Sequence, residues 1–240
     1  GERKHSTMKQ SRILFSVFAK AQLKTRAYII DPQLAPREHN VDFQHMRLEL
    51  SFDPQRGLVK GTATHAFSPL RPKVDSVWVD GINMSVKKIS VNGKPAKFKT
   101  DSAGIIIYFS PALSWGTQNT LTIIYECTPR KGLYFIGWND PQSISRKQIW
   151  SQGQGIDNRH WIPMYDEMND KMTTEMIVKF DKEYKVLSNG TKLLEKENKD
   201  GTKTWQYKMT HPHAPYLVML GIGKYAIEEI KSKSGVPLHL

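Results

Sequence analysis

Cysteine, long apolar runs and recognisable catalytic arrangements are what this 240-residue chain has least of. The single cysteine, Cys127, rules out a disulfide within the chain, and its apolar, strand-like surroundings suit a free thiol acting as a small hydrophobe. No run of ~18 apolar residues occurs, so no transmembrane helix is expected. No His-Glu-x-x-His pattern is present, and no Ser/His/Asp or Cys/His arrangement stands in a recognisable context. Acidic residues are also in deficit: 35 Lys and Arg face 23 Asp and Glu, a net charge of +12. That balance raises nucleic acid or an anionic surface as a partner. The lysines argue against nucleic acid, because Lys87, Lys88, Lys94, Lys97, Lys99, Lys192, Lys196, Lys199 and Lys203 are scattered through turns and strand faces. No basic helix gathers them, and no nucleic-acid partner is expected.

What is present is a β pattern. Met46, Leu48, Leu50 and Phe52 alternate with His45, Arg47, Glu49 and Ser51, the period of two that marks a half-buried strand. Similar runs follow at 58–67, 74–79, 86–91, 105–109 and 121–127, with turn signals such as Asp53-Pro54, Asp80-Gly81, Asn92-Gly93 and Pro111 between them. Asn92-Gly93 predicts a type I′ hairpin, since both central residues of that turn need positive φ and Asn and Gly tolerate it best. A second set of strands is predicted at 173–180, 184–188, 204–209 and 216–221, with Asn189-Gly190 and Asp200-Gly201 as turns. The fold class is therefore all-β, with large twisted antiparallel sheets or a β-sandwich over residues 41–240. Residues 1–40 read as an extension. Within it Ile13, Leu14, Val17, Phe18 and Ala21 fall on one face of a short amphipathic helix, although Met8 to Ala21 also has the order of parts of a signal peptide. The second reading leans towards an exported or periplasmic protein of a bacterium, the first is equally at home in a cytoplasm.

Residues 129–163 break the strand rhythm and are rich in Gly, Asn, Gln and Trp, as functional loops of β domains often are. In Trp150-Ser151-Gln152-Gly153-Gln154-Gly155 two amides stand two residues apart, so on an extended backbone both point to one side. Each offers donors and acceptors suited to a peptide's amine and carbonyl groups, and the glycines leave the backbone open. A solvated Gln-Gly loop has the same sequence. Arg159 and Asp166 read as a structural ion pair or turn-forming partners, and His211-Pro212-His213 lacks a third metal ligand at a usual spacing.

The run Arg159-His160-Trp161-Ile162-Pro163-Met164-Tyr165-Asp166-Glu167-Met168-Asn169-Asp170-Lys171 is similar to the signature of the aminopeptidase N family of zinc metallopeptidases, an Arg followed by Pro-x-x-Asp-x-Pro-x-x-Lys. Ser188-Asn189-Gly190, Pro215-Tyr216-Leu217 and Gly223-Lys224-Tyr225 follow in the family's order, and the resemblance covers about four fifths of the chain. It implies the saddle-like amino-terminal β domain of such an enzyme. In the family the loop before the signature carries a Gln-x-Glu or Gln-x-Gln pair that reaches the active site, matched here by Gln152 and Gln154. The second residue holds the substrate's free α-amino group and the first lines the pocket for the first side chain. Gln154 replaces the commoner Glu, as in the leukotriene hydrolase branch, and so offers a neutral carbonyl in place of a charge-assisted bond. Met164 and Met168 stand where relatives often have Cys and Pro.

The family's GxMEN and His-Glu-x-x-His motifs are missing, so no residue of this chain is assigned a catalytic or metal-binding role and no cofactor is expected in it. Zinc would belong to the parent enzyme, in a thermolysin-like catalytic domain expected after residue 240. The implied function is a non-catalytic domain that contributes Gln152 and Gln154 to the binding of peptides with a free N-terminus. The alternative is a free-standing β-sandwich module for carbohydrate or protein, with Trp138, Trp150 and Trp161 as a stacking platform. A reading frame that runs past Leu240 into GxMEN and His-Glu-x-x-His decides for the peptidase, a stop codon there for the module.

Overall fold

The computed structural model describes residues 37–142, 146–235 and 237–239. The helix expected between Ile13 and Ala21 lies outside the described residues. The first strands are β1 (Val41–Asp53), β2 (Leu58–Pro69), β3 (Lys73–Asp80), β4 (Ser85–Val91), β5 (Lys94–Pro95), β6 (Lys97–Thr100), β7 (Gly104–Ser114) and β8 (Asn119–Cys127). Then come β9 (Leu133–Ile136), β10 (Gln148–Ser151), β11 (Met172–Asp181), β12 (Lys185–Ser188), β13 (Thr191–Glu197), β14 (Thr202–His213) and β15 (Leu220–Gly223), before a small hairpin of β16 (Glu229–Lys231) and β17 (Pro237–His239). Eight strands form one sheet in the order β13-β14-β11-β1-β2-β8-β4-β5, and four form a second, β12-β15-β10-β9. A third sheet has the order β3-β7-β6.

The all-β class follows from the alternation. In β1, Met46, Leu48 and Leu50 are buried while their neighbours Arg47 and Glu49 are not, and in β8 Leu121, Ile123, Tyr125 and Cys127 face inward. Most ladders are antiparallel, but β1 and β11 pair in parallel, from His45 opposite Thr173 to Ser51 opposite Lys179. Those two strands are far apart in sequence, so no tight hairpin constrains their direction. Asn92 (φ 51) and Gly93 (φ 77) form the two-residue turn between β4 and β5, with Val91 opposite Lys94, as the type I′ signal predicted. Gly61 lies opposite Tyr125, whose ring would stand 2.6 Å from any Cβ there. Only glycine leaves room for that ring, and the Tyr125 hydroxyl thereby reaches the Trp161 carbonyl at 2.8 Å.

Two expectations need correction, and one strand, β13, was not foreseen. Residues 216–221 are not one strand: Pro215–Leu217 is a single 3-10 turn, and the strand begins only at Leu220. Pro215 opens that turn because its ring fixes φ and its missing N–H is not needed there. Residues 133–136 and 148–151, within the segment read as irregular, pair with each other as β9 and β10. Strand β13 has every residue exposed and so shows no alternation. Its place is set by backbone pairing along the edge of β14.

Candidate functional site

The segment 158–170 is the hub of the fold. Trp161, Ile162 and Met164 are fully buried, and Asp80 and Met164 bridge β3 to the segment through backbone bonds of 2.8 and 3.1 Å. His65 Nε2 lies 2.8 Å from the Pro163 carbonyl, which can only accept, so the imidazole donates there. Complete burial pushes this histidine down to about 4.

Charged residues around Arg159 form a buried network. Asp80 takes both terminal nitrogens of Arg37 at 2.9 and 2.7 Å and lies 3.4 Å from Arg159 Nη1. Arg159 donates its backbone N–H to Asp166 Oδ2 at 2.9 Å and Nη2 to the Asp166 carbonyl at 2.6 Å. Burial works to raise the Asp80 carboxyl, but the Arg37 hydrogen bonds and the two arginine charges outweigh it and hold it below the usual range. Asp166 lacks a bidentate arginine, and burial, helped by the Asp80 charge, pushes it up to about 7 against Arg159. These contacts staple β3 and the chain at Arg37 to the signature segment. They are the structural ion pair and turn partners that the sequence suggested. Met164, where relatives often have Cys, fills the core, whereas Met168 is 66% exposed.

Strand β10 ends at Ser151, directly before the amide pair. Gln152 donates its N–H to the Gly132 carbonyl at 2.9 Å, and Gly132 (φ 75) approaches Asp157 so closely that a Cβ would stand 2.0 Å from that carbonyl. The loop therefore leaves β10 along a fixed path. Gln152 and Gln154 are both exposed, with buried Gly153 between them. Gln154 begins a turn and its N–H points to Gln152 Oε1 at 3.4 Å, so the two amides share one cleft without lying on a regular strand. That cleft, of ≈ 270 Å³, is lined by residues 151–154 on one wall and 216–219 on the other.

In the sequence the second wall was read as a strand at 216–221 and, at Pro215-Tyr216-Leu217, as part of the family resemblance. The structure brings it to the amides and fixes it with side chains. Asn189 Nδ2 donates to the Leu217 carbonyl at 2.9 Å and its Oδ1 accepts from Met219 N–H at 2.7 Å. Ser188 Oγ donates to the Met219 carbonyl at 2.8 Å, and Ser151 Oγ accepts from Leu220 N–H at 2.8 Å. From the floor, fully buried Asn158 donates to the carbonyls of Pro215 and Val218 at 2.9 and 3.1 Å and accepts from Trp161 Nε1 at 2.9 Å. Sequence reasoning missed Asn158, because nothing in a Gly-Ile-Asp-Asn-Arg run tells a buried amide from a solvated one.

Other sequence candidates fall into ordinary roles. His213 Nε2 is 2.9 Å from Thr174 Oγ1, and Cys127 is buried in β8 with its thiol pushed up to about 12 by burial. Trp161 is buried in the core, Trp138 packs on Phe180 and Tyr184, and Trp150 is 40% exposed beside Tyr134. A shared stacking platform, the basis of the carbohydrate reading, does not form. Among the described residues no group of three or more His, Cys, Asp or Glu side chains is arranged to hold a metal ion, and no helix is long and apolar enough to cross a membrane.

Comparison with known proteins identifies the family and the fold. Residues 36–217 match the Peptidase M1 N-terminal domain family. The chain is 28% identical over 192 residues to a leucyl aminopeptidase of Saccharolobus solfataricus, covering 78% of this chain and 22% of that protein. It is 25% identical over 202 residues to the leukotriene A-4 hydrolase of Xenopus laevis, covering 79% of this chain and 32% of that protein. The crystal structure of an M1 zinc metallopeptidase from Deinococcus radiodurans superposes with a TM-score of 0.71 at 18% identity, over 85% of this chain and 47% of the other. A variant of that enzyme bound to a Tyr-Ser-Ala substrate gives 0.70 at 19% identity, over 83% and 46%. The chain thus spans about a fifth to a third of these curated relatives and about half of the solved chains.

Proposed function

Because the chain belongs to the Peptidase M1 N-terminal domain family, we propose that it is the substrate-side domain of a zinc aminopeptidase and is not itself catalytic. The observation that carries this reading is the shared cleft, in which Gln152 and Gln154 face the Tyr216–Met219 turn. The cleft offers hydrogen-bonding amides beside the exposed apolar side chains of Leu217 and Met219, and among the described residues no carboxylate or imidazole lines it. Such a lining can bind and orient a peptide end, but it cannot supply a general base or a metal ligand.

Gln154 accepts from the α-ammonium of a peptide's first residue, and Gln152 lines the space for the first side chain. Both are neutral, so attraction of the ammonium by full charges belongs to groups outside this chain. The zinc named for the solved M1 metallopeptidase is assigned in this reading to a catalytic domain on which this one docks. The anchoring of the loop backbone, through Gly132 and Ser151, fixes the points from which the two amide side chains leave before a substrate arrives.

Photo-crosslinking tests the assignment. In the full-length protein, a tripeptide with a free amino end and a photoreactive first side chain should label residues 151–154 or 216–219, and the N-acetylated peptide should not. Labelling confined to other surfaces, or equal labelling by the acetylated peptide, contradicts it.

A further inference from the structure

We propose that Asn158 is a positioning residue that locks the two walls of the cleft together, with Gly153 as the space that admits it. Its side chain is fully buried, and each of its amide atoms has a partner: Nδ2 donates to Pro215 and Val218, and Oδ1 accepts from Trp161. One amide therefore joins the floor under the Gln152–Gln154 loop to the start and the middle of the opposite turn. The loop lies directly on it. A Cβ on Gly153 would stand 2.3 Å from Asn158 Nδ2 and 2.5 Å from Cγ, although the backbone of Gly153 is not in the left-handed region that excludes other residues. The need for glycine at this position is thus a need for contact with Asn158, not for an unusual φ.

Two consequences follow from hydrogen-bond chemistry. The carbonyls of Pro215 and Val218 both accept from Asn158; that of Pro215 also takes the Val218 N–H at 3.1 Å, so a replacement that cannot donate deprives the buried Val218 carbonyl above all. Asn158→Asp keeps the shape but offers acceptors to those acceptors, pushing the turn away. In either case the turn loses its tie to the floor under Gln152 and Gln154 and is left to its bonds with Asn189, Ser188 and Ser151. That the two walls matter to turnover rests on Gln152 and Gln154 being substrate contacts; that Asn158 joins them does not.

Amide hydrogen exchange on the chain reads the coupling without any activity. Asn158→Ala and Gly153→Ala should each speed exchange about tenfold or more both at residues 152–157 and at Met219 and Leu220, whose N–H groups are bonded to Asn189 and Ser151. Gly153→Ala keeps every polar group, so it reports even where loss of Asn158 prevents folding. The double variant Gly153→Ala/Asn158→Ala should exchange no faster than Asn158→Ala alone, because removing the amide makes room for the new methyl. Acceleration on one wall only, or additive effects in the double variant, overturns the lock. In the full-length protein the same variants should lower kcat/KM roughly tenfold or more, while Gly93→Ala, which loosens a remote turn, should not. Faster exchange on both walls with unchanged kcat/KM upholds the lock and refutes the reading of the cleft as the substrate site.

Discussion

Replacing Asp80 with alanine tests whether the signature segment is held by its buried charges. Asp80 is 2% exposed and accepts from both terminal nitrogens of Arg37, from the Asp166 backbone N–H at 3.0 Å and from Trp78 Nε1 at 3.4 Å, with Arg159 3.4 Å away. Its removal leaves two guanidinium groups without their shared carboxylate. Arg37 is about a third exposed and recovers some hydration, whereas Arg159, at 12%, recovers little. Loss of one partner from a buried ion pair costs about 3–5 kcal/mol, and partial hydration of Arg37 places the expectation near the lower end. For a chain of this size each kcal/mol lowers Tm by about 2–4 °C, so Asp80→Ala should melt roughly 6–12 °C lower. Urea titration followed by tryptophan fluorescence measures the loss directly. Asp80→Asn retains the shape and some hydrogen bonds and should fall between the two. A loss under about 1 kcal/mol would refute the reasoning and reopen a chemical role for Arg159 and Asp166.

Two further outcomes are expected. His65 is neutral in the fold, lowered to about 4, whereas the unfolded chain takes up a proton below about 6.5, so its contribution is complete above pH 6.5 and is lost as pH falls towards 4. Asp166 and Asp170, raised to about 7 and about 6, give slopes of the opposite sign. The His65 share must therefore be read as a difference: between pH 6.5 and 4 the wild-type chain should lose roughly 3 kcal/mol more than His65→Leu, and parallel curves from urea titrations would contradict it. At the β4–β5 turn, Gly93 has φ 77 and open space where a Cβ would sit, so Gly93→Ala should cost only the left-handed backbone strain, about 1 kcal/mol in thermal melts. A loss several times larger would mean that the turn is packed in a way its surroundings do not show.

Much of the fold was legible because burial on one face leaves a period of two, as at Met46, Leu48 and Leu50. The Asn92-Gly93 turn was legible because its chemistry is local. Strand β13 was not, since with both faces in solvent only its ladder with β14 selects its conformation. The break at Pro215 was blurred by an apolar run that continues through it, Tyr216 to Leu220. In the site, the amide pair was visible as a spacing, but its opposite wall comes from about 60 residues further along the chain and is placed there by contacts of Asn158, Asn189 and Ser151. Such long-range partners carry no local signature. Sequence could show Asn158 as an asparagine, but not that Gly153 would be shaped around it.

The most direct test of the account is kcat/KM of the full-length protein carrying Gln154→Ala, measured with an aminoacyl substrate bearing a free amine. Loss of one neutral hydrogen bond to the bound amine is worth about 1 kcal/mol, so kcat/KM should fall roughly three- to tenfold. Gln154→Glu, which can make a charge-assisted bond, should bind that amine at least as well as wild type. An unchanged kcat/KM for Gln154→Ala would remove this loop from the substrate site and contradict the role proposed for the domain.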